Sequence, residues 1–81
     1  MIMETPRDIL NELRWRYKTS LDEAKIYYVH RGAPGDYRVM SGSEIEELNR
    51  SFIKAREAQI PYHRVFKIEY DGNIVFERER E

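Results

Sequence analysis

The chain lacks cysteine altogether among its 81 residues. This absence excludes disulfide frameworks, cysteine-based zinc sites, iron–sulfur clusters and thiol nucleophiles. Long apolar runs are also missing, because the longest covers only a few residues and a membrane-spanning helix needs about 20. Residues Met1 to Glu4 do not open the apolar region of a signal peptide. We therefore expect a cytosolic (cytoplasmic) protein with no membrane partner.

An excess of positive charge is missing as well. Fourteen Lys and Arg against fifteen Asp and Glu give a net charge of -1, which argues against coating nucleic acid through long-range attraction alone. An anionic partner must then be met locally. Ten of the 14 cations are arginine, whose planar fork suits bidentate recognition of phosphate or carboxylate. The same Arg and Glu enrichment is typical of heat-stable proteins and favours a thermophilic source.

What is present is enough for one small core. Hydrophobic residues make up 41% of the chain and aromatic residues 12%, a composition too apolar for a disordered segment. The length matches a single domain over residues 1–81, since one core normally occupies roughly 50 to 200 residues. We expect this domain to fold unaided.

The sequence predicts an N-terminal helix over about Pro6 to Arg16. Thr5 supplies a capping hydroxyl, the proline stands at the first helical position, and Asp8 places a carboxylate in the first turn. Apolar residues at helical spacing predict the buried stripe: Ile9, Leu10 and Leu13. Trp15 and Tyr17 are expected to extend this apolar contact at the end of the helix.

Short segments rich in β-branched and aromatic residues predict strands. They cover residues 25–31, 37–40, 51–54, 64–70 and 73–78, and residues 59–62 are extended because Pro61 disfavours helix before it. Gly32-Ala33-Pro34-Gly35 predicts a tight loop and Asp71-Gly72 a two-residue hairpin turn. Alternation assigns side chains to faces. We expect Phe66, Ile68 and Tyr70 on one face, Val65, Lys67 and Glu69 on the other, and Ile74 and Phe76 on the apolar face of the closing strand.

A second helix is predicted by the capping pattern Ser43-Glu44-Ile45-Glu46. It would be brief and carry Ile45 and Leu48. Antiparallel strands with two helices, without strict alternation of strand and helix, predict an α+β fold. We expect a small, mainly antiparallel sheet with the N-terminal helix packed on one face and the second short helix beside it.

The two histidines mark the most distinctive pattern. Each follows closely on a tyrosine and immediately precedes an arginine, in Tyr28-Val29-His30-Arg31 and in Tyr62-His63-Arg64. An imidazole beside a guanidinium makes a phosphate-binding pair, and tyrosine adds a hydroxyl or a stacking face. Side chains alternate along a strand, so each pair can share a ligand only where the strand has ended or bulged. Either pair alone also fits a structural histidine beside a surface arginine, and Arg38 and Arg78 on neighbouring strands either add cations or are surface charges.

Signatures of metal and nucleotide-loop sites are absent. The chain has no His-x-x-x-His, no Glu-x-x-His and no aspartate cluster with loop spacing. Ser41-Gly42-Ser43 is a helix-start pattern rather than a nucleophile elbow, and the loop at 32–35 lacks the lysine of a phosphate loop. We expect no metal and no cofactor.

Five segments between Arg7 and Arg78 carry a family resemblance. They are Ile9-Leu10-Asn11-x-Leu13-x-Trp15, Tyr28-x-His30-Arg31-Gly32, Ser43-Glu44-Ile45, Ile60-Pro61-Tyr62-His63-Arg64-Val65 and Val75-Phe76-Glu77-Arg78. Together they resemble the archaeal family of RNA cyclic group end recognition domains. The resemblance implies an RNA-processing module that recognises RNA ends bearing a 2′,3′-cyclic phosphate or a related terminus. The positions that it implies for phosphate and RNA binding are Tyr28, His30, Arg31, Tyr62, His63, Arg64 and Arg78.

Three functions stay open at this point. The first is a binding module in which a phosphate sits between Arg31, Arg64 and one or both histidines, while a tyrosine stacks on the terminal base. The second is a small phosphodiesterase that uses His30 and His63 as acid and base, although the His-x-Thr and His-x-Ser motifs of two-histidine phosphoesterases are missing. The third is a protein-interaction domain, such as a homodimer formed through an open sheet edge. We expect binding rather than catalysis.

Overall fold

The computed structural model describes residues 5–16 and 20–79, and it confirms the α+β class. Within these residues one α-helix, α1 (Pro6–Arg16), precedes seven strands. The strands are β1 (Ala24–Val29), β2 (Tyr37–Ser41), β3 (Ile45–Leu48), β4 (Phe52–Ala55), β5 (Gln59–Pro61), β6 (Val65–Tyr70) and β7 (Asn73–Glu77). Single 3₁₀ turns lie at Ser20–Glu23, Gly42–Glu44 and Tyr62–Arg64, and Pro34–Asp36 form a turn in which Gly35 and Asp36 have positive φ. The predicted strand segments are therefore confirmed to within a few residues.

The strands form two antiparallel sheets rather than one. The larger sheet has the order β2-β1-β6-β7, and the smaller has the order β3-β4-β5. One buried cluster joins α1 to both sheets, so the two sheets share a single core. Its largest fully buried side chains are Leu10, Ile26, Ile53, Val65 and Ile68.

Helix α1 begins as predicted. The backbone N–H of Asp8 donates to the Thr5 hydroxyl at 3.2 Å, and the backbone N–H of Thr5 donates to the Asp8 carboxylate at 3.4 Å. The predicted stripe of Ile9, Leu10 and Leu13 is buried. Among the described residues, no helix has the length and apolar character required to cross a membrane.

The expectation that Trp15 lies against the core is wrong, because its side chain is 81% exposed. An α-helix turns by about 100° per residue, so Trp15 lies about 200° around the axis from Leu13 and faces away from the buried stripe. Tyr17, the other predicted contact at this helix end, lies outside the described residues.

The predicted second helix is also wrong, because residues 45–48 form β3 and pair with β4. A capping box does form, but it begins at Ser41, two residues before the predicted Ser43. The Ser41 hydroxyl accepts from the backbone N–H of Ser43 at 3.1 Å, and the backbone N–H of Ser41 donates to the Glu44 carboxylate at 3.4 Å. It caps one 3₁₀ turn, Gly42–Glu44. So short a helix is unstable by itself, whereas pairing with β4 satisfies the backbone of residues 45–48.

A β-bulge in β6 overturns the predicted assignment of Phe66 and Val65. The register runs Ile26 opposite Ile68, Tyr27 opposite Lys67 and Tyr28 opposite Val65. Phe66 is therefore an extra residue in the ladder, and regular alternation fails at that point. Val65 and Ile68 are both fully buried, while the Phe66 ring packs against Tyr27 and Tyr37. The assignment of Tyr70 is confirmed, since its side chain packs against the core.

The C-terminal hairpin forms around the predicted turn. Asp71 and Gly72 both have positive φ, 52° and 83°, as the favoured two-residue hairpin turn requires. A second bulge follows in β7, where Glu69 opposes Ile74 and Ile68 opposes Phe76. Phe76 packs against the core as predicted. The prediction for Ile74 is wrong, because the bulge places its side chain on the opposite face, 52% exposed.

Candidate functional site

The second histidine–arginine pair lies in a turn and not in a strand. β5 ends at Pro61, Tyr62–Arg64 form a 3₁₀ turn, and the backbone N–H of Val65 donates to the Tyr62 carbonyl as β6 begins. Side chains in such a turn do not alternate between two faces as they do in a strand. His63 and Arg64 are both exposed, and both line the same hollow.

The first pair lies just beyond the end of β1, in a loop closed by Asp36. The backbone N–H of His30 donates to the Asp36 carbonyl at 2.9 Å. The backbone N–H of Gly32 donates to the Asp36 carboxylate at 3.2 Å. Gly32 has a φ of +97°, a conformation that favours glycine. These bonds hold the loop so that Arg31 is exposed at its start.

Three arginines and one histidine of the predicted site line one open hollow of about 350 Å³, which we call the arginine hollow. Its lining residues are Val29, Arg31, His63, Arg64, Phe66, Arg78 and Glu79. Arg31 comes from the loop after β1, His63 and Arg64 come from the turn before β6, and Arg78 follows β7. The fold therefore collects these side chains from three separate parts of the chain.

Arg78 is held in place by backbone carbonyls. Its Nε–H donates to the Val65 carbonyl at 2.9 Å, and its Nη2 donates to the Tyr62 carbonyl at 2.9 Å. Its guanidinium carbon lies 5.7 Å from the centroid of the Phe76 ring. These two bonds fix the guanidinium against both ends of the turn that carries His63 and Arg64. They use two of the five N–H donors of the group.

The charge in the arginine hollow is mostly positive. Glu79 is the one carboxylate among the lining residues. Within residues 5–16 and 20–79, neither Arg31 nor Arg64 has a salt-bridge partner. The hollow thus gathers local cations in a chain whose net charge is -1. In the same described ranges, no three His, Asp or Glu side chains are grouped closely enough to hold a metal ion.

A second, smaller hollow adjoins the first. It measures about 230 Å³ and includes Tyr28, His30, Arg38 and Arg64 among its lining residues. Arg64 lines both hollows, which makes it the cation that they share. The Tyr28 ring meets the His30 ring edge-on, with centroids 6.5 Å apart. His30 and Arg31 thus line different hollows, and these hollows have Val29 and Arg64 in common.

Tyr62 differs from the other six residues of the predicted site, because its side chain belongs to the core and is 9% exposed. Its hydroxyl donates to the Asn49 carbonyl at 2.8 Å, and Arg7 Nε donates to the same oxygen at 3.1 Å. Burial raises the pKa of Tyr62, and the charge of Arg7 partly opposes this effect. The buried side chain has a structural role and leaves little surface on which a base can stack, and an RNA contact at Tyr62 stays a prediction.

Sequence reasoning did not assign three lining residues of the arginine hollow to the site: Val29, Phe66 and Glu79. Phe66 was assigned to the same face as Ile68 and Tyr70, and the bulge places it beside the hollow instead. Glu79 was part of a terminal charge run with no distinguishing pattern. No local signal in the sequence indicates Phe66 or Glu79, because both depend on how β6 and β7 pair.

The fold and the hollow define a small α+β domain with an arginine-rich hollow. Residues 3–78 match the MJ1316 RNA cyclic group end recognition domain, and the chain belongs to this family. The chain is similar to archaeal UPF0248 proteins. It is 34% identical to one from Methanococcus vannielii over 89% of each chain, and 31% identical to one from Archaeoglobus fulgidus over 85% of this chain and 99% of the relative. It is 38% identical to UPF0248 protein MK0350 from Methanopyrus kandleri over 72% of this chain and 78% of the relative. No solved structure gives a significant match.

Proposed function

We propose that this protein binds RNA ends that carry a phosphate, with a 2′,3′-cyclic phosphate as the preferred terminus, and that the arginine hollow holds this phosphate. The observation that carries the proposal is the convergence of Arg31, His63, Arg64 and Arg78 on one open hollow. The family description, RNA cyclic group end recognition, supplies the class of ligand.

The energetics of anion binding support a terminal ligand rather than a continuous RNA backbone. Hydrogen bonds to a charged group contribute roughly 1.5–3 kcal/mol each, so a few converging donors are enough to hold one phosphate. Tracking a long backbone requires many cations spread over a face. This protein has a net charge of -1, and three of its arginines line one hollow instead of being spread over a face.

The positions of the histidines favour binding over catalysis. Acid–base cleavage by two imidazoles needs both rings within reach of one phosphate. Here His63 lines the arginine hollow and His30 lines the adjoining one. The phosphodiesterase alternative therefore has less geometric support. The homodimer alternative stays a prediction that sedimentation at several concentrations tests.

The proposal is tested by fluorescence anisotropy with short labelled RNAs that differ only in the terminus: 2′,3′-cyclic phosphate, 3′-phosphate or hydroxyl. We expect the phosphate-bearing ends to bind more tightly than the hydroxyl end. Arg64→Ala and Arg31→Ala should each weaken binding of the cyclic end by about 10- to 100-fold, which corresponds to the loss of one or two charge-assisted contacts.

The matched control is Arg14→Ala, which removes an exposed arginine of α1 that lines neither hollow. This variant should bind all three ends like the parent protein. Equal affinity for all three ends, or an Arg64→Ala protein that binds the cyclic end normally, would contradict the proposal. Chromatography of the RNA after long incubation adds a second readout: an intact cyclic end supports binding alone, and conversion of that end supports the phosphodiesterase.

A further inference from the structure

Three aromatic rings form a cluster on the outer side of the larger sheet, which we call the aromatic platform: Tyr27, Tyr37 and Phe66. The Tyr27 and Tyr37 rings are stacked, with centroids 6.2 Å apart and planes 27° from parallel. Phe66 meets Tyr37 nearly at a right angle, with centroids 5.9 Å apart. Tyr37 is 38% exposed. Sequence reasoning placed Phe66 on the same face as Ile68 and singled out neither Tyr27 nor Tyr37.

The Tyr27 ring is held in a fixed orientation. Its hydroxyl donates to the Glu69 carboxylate at 3.1 Å, and Lys67 Nζ lies 4.4 Å from the ring centroid. Lys67 and Glu69 also form an ion pair at 3.9 Å. Burial and the Glu69 carboxylate raise the pKa of Tyr27, so its hydroxyl stays a donor. Tyr37 therefore stacks on a ring that is already oriented.

The aromatic platform adjoins the arginine hollow directly. Phe66 belongs to both, because its ring contacts Tyr37 and its side chain also lines the hollow. Val29, another lining residue, is the cross-strand partner of Tyr37 in the β1–β2 ladder. Directly opposite residues of an antiparallel pair have side chains on the same face, about 5 Å apart. An anion in the hollow thus lies beside an exposed aromatic surface.

We propose that the aromatic platform holds the base of the same terminal nucleotide whose phosphate occupies the arginine hollow. This inference rests on the proposed function and adds the base-binding part of the site. Proteins that bind single-stranded RNA commonly stack bases on aromatic side chains of a sheet. Stacking tolerates any base because each has a π-face. Tyr37 is the contact residue here, and Tyr27 is a positioning residue beneath it.

The experiment compares two small ligands by calorimetry: adenosine 2′,3′-cyclic phosphate and ribose 2′,3′-cyclic phosphate, which lacks the base. Stacking of one base is worth roughly 1–3 kcal/mol, so the parent protein should prefer the nucleotide by about 5- to 150-fold. Tyr37→Leu keeps an apolar side chain but removes the ring. It should lose most of this preference while its affinity for the baseless ligand is unchanged.

Two further variants serve as controls. Tyr37→Phe keeps the ring without the hydroxyl and should retain the preference. Trp15→Leu removes an exposed aromatic residue of α1 that lines neither hollow and should bind both ligands like the parent. Loss of both ligands in Tyr37→Leu, in a protein that melts like the parent, would overturn the inference, because Tyr37 would then shape the hollow itself.

A spectroscopic measurement on the parent protein covers the case in which Tyr37→Leu does not fold. An RNA dinucleotide with a 3′-terminal 2-aminopurine and a cyclic phosphate should lose fluorescence on binding, because stacking quenches this base. Binding without quenching would overturn the inference. If the arginine variants lose binding while the parent shows no preference for the nucleotide, base binding by the aromatic platform is refuted and phosphate binding by the arginine hollow is supported. If Arg31→Ala and Arg64→Ala bind both ligands normally, the proposed function itself fails.

Discussion

The chain contains two strings of the same residue types, and they end in different structures. In the first string, Tyr28 lies in β1 and its histidine and arginine follow the end of the strand. In the second, Tyr62 is buried at the start of a 3₁₀ turn that carries the other two residues. The first string divides its histidine and arginine between two hollows, whereas the second directs both to the same one.

The difference shows that the path of the backbone, more than residue type, decides what a histidine–arginine pair can do. His30 and Arg31 follow the end of β1 and line different hollows, although they are adjacent in the chain. A 3₁₀ turn rotates successive side chains by about 120°, which leaves His63 and Arg64 free to line one cavity. The second string therefore forms the centre of the candidate site, and the first contributes Arg31 from the rim.

The largest expected effect separates the two tyrosines. Tyr62→Ala should lower the free energy of unfolding by about 3–5 kcal/mol, because it deletes a buried ring and its hydrogen bond to Asn49. Tyr28→Ala, at a half-buried position, should cost about 1 kcal/mol. Urea unfolding measures both values. Equal losses would show that the two strings are structurally equivalent.

A smaller effect distinguishes Arg78 from Arg31. Lysine cannot donate to two carbonyls with the planar fork of arginine. Arg78→Lys should therefore reduce stability by about 1–2 kcal/mol, since the carbonyls of Tyr62 and Val65 lose well-aligned donors. Arg31→Lys, at an exposed position, should change stability by less than about 0.5 kcal/mol. Thermal melts of both variants decide the matter, and an Arg78→Lys protein as stable as Arg31→Lys would refute this role of Arg78.

The smallest expected effect is a pH dependence of the free energy of unfolding that arises from Tyr62, the tyrosine of the second string. Burial raises the pKa of Tyr62 in the folded protein, while an unfolded tyrosine titrates near about 10. The contribution of the protonated Tyr62 to the free energy of unfolding is fully present below that pH. It is lost as the pH rises further, because the unfolded chain releases its proton first. Tyr62→Phe should show a weaker decline between pH 9 and 11 in urea unfolding.

Tyr27, whose pKa is also raised, contributes to the decline in both the parent and the Tyr62→Phe protein. The comparison therefore isolates Tyr62. Identical slopes in the two proteins would mean that the buried phenol does not titrate differently in the folded state.

Local signals in the sequence predicted those elements whose causes are local. Thr5 and Asp8 determine where α1 begins, and Asp71-Gly72 forms the hairpin turn by its own backbone preference. The capping pattern was ambiguous, because both Ser41 and Ser43 are followed three residues later by glutamate. Pairing with β4, a long-range contact, decided that residues 45–48 form a strand.

The composition of the candidate site was largely predictable, and its geometry was not. The pattern of two histidine–arginine pairs indicated Arg31, His63 and Arg64 before any fold was known. Their division between hollows depends on where β1 ends and on the turn before β6. Phe66 could not be assigned from alternation, because a bulge becomes visible only when the partner strand is known.

The extra residue in β6, Phe66, makes the number of residues in that strand important for the surface of the sheet. Deleting Phe66 would restore an even ladder and leave the hydrophobic pattern almost intact, yet the sheet would lose the ring that joins its outer surface to the arginine hollow. Two relatives with nearly the same apolar residues, but differing by one position between Pro61 and Tyr70, would thus have different outer surfaces beside the arginine hollow. Gaps in an alignment of this segment therefore carry as much functional information as substitutions do.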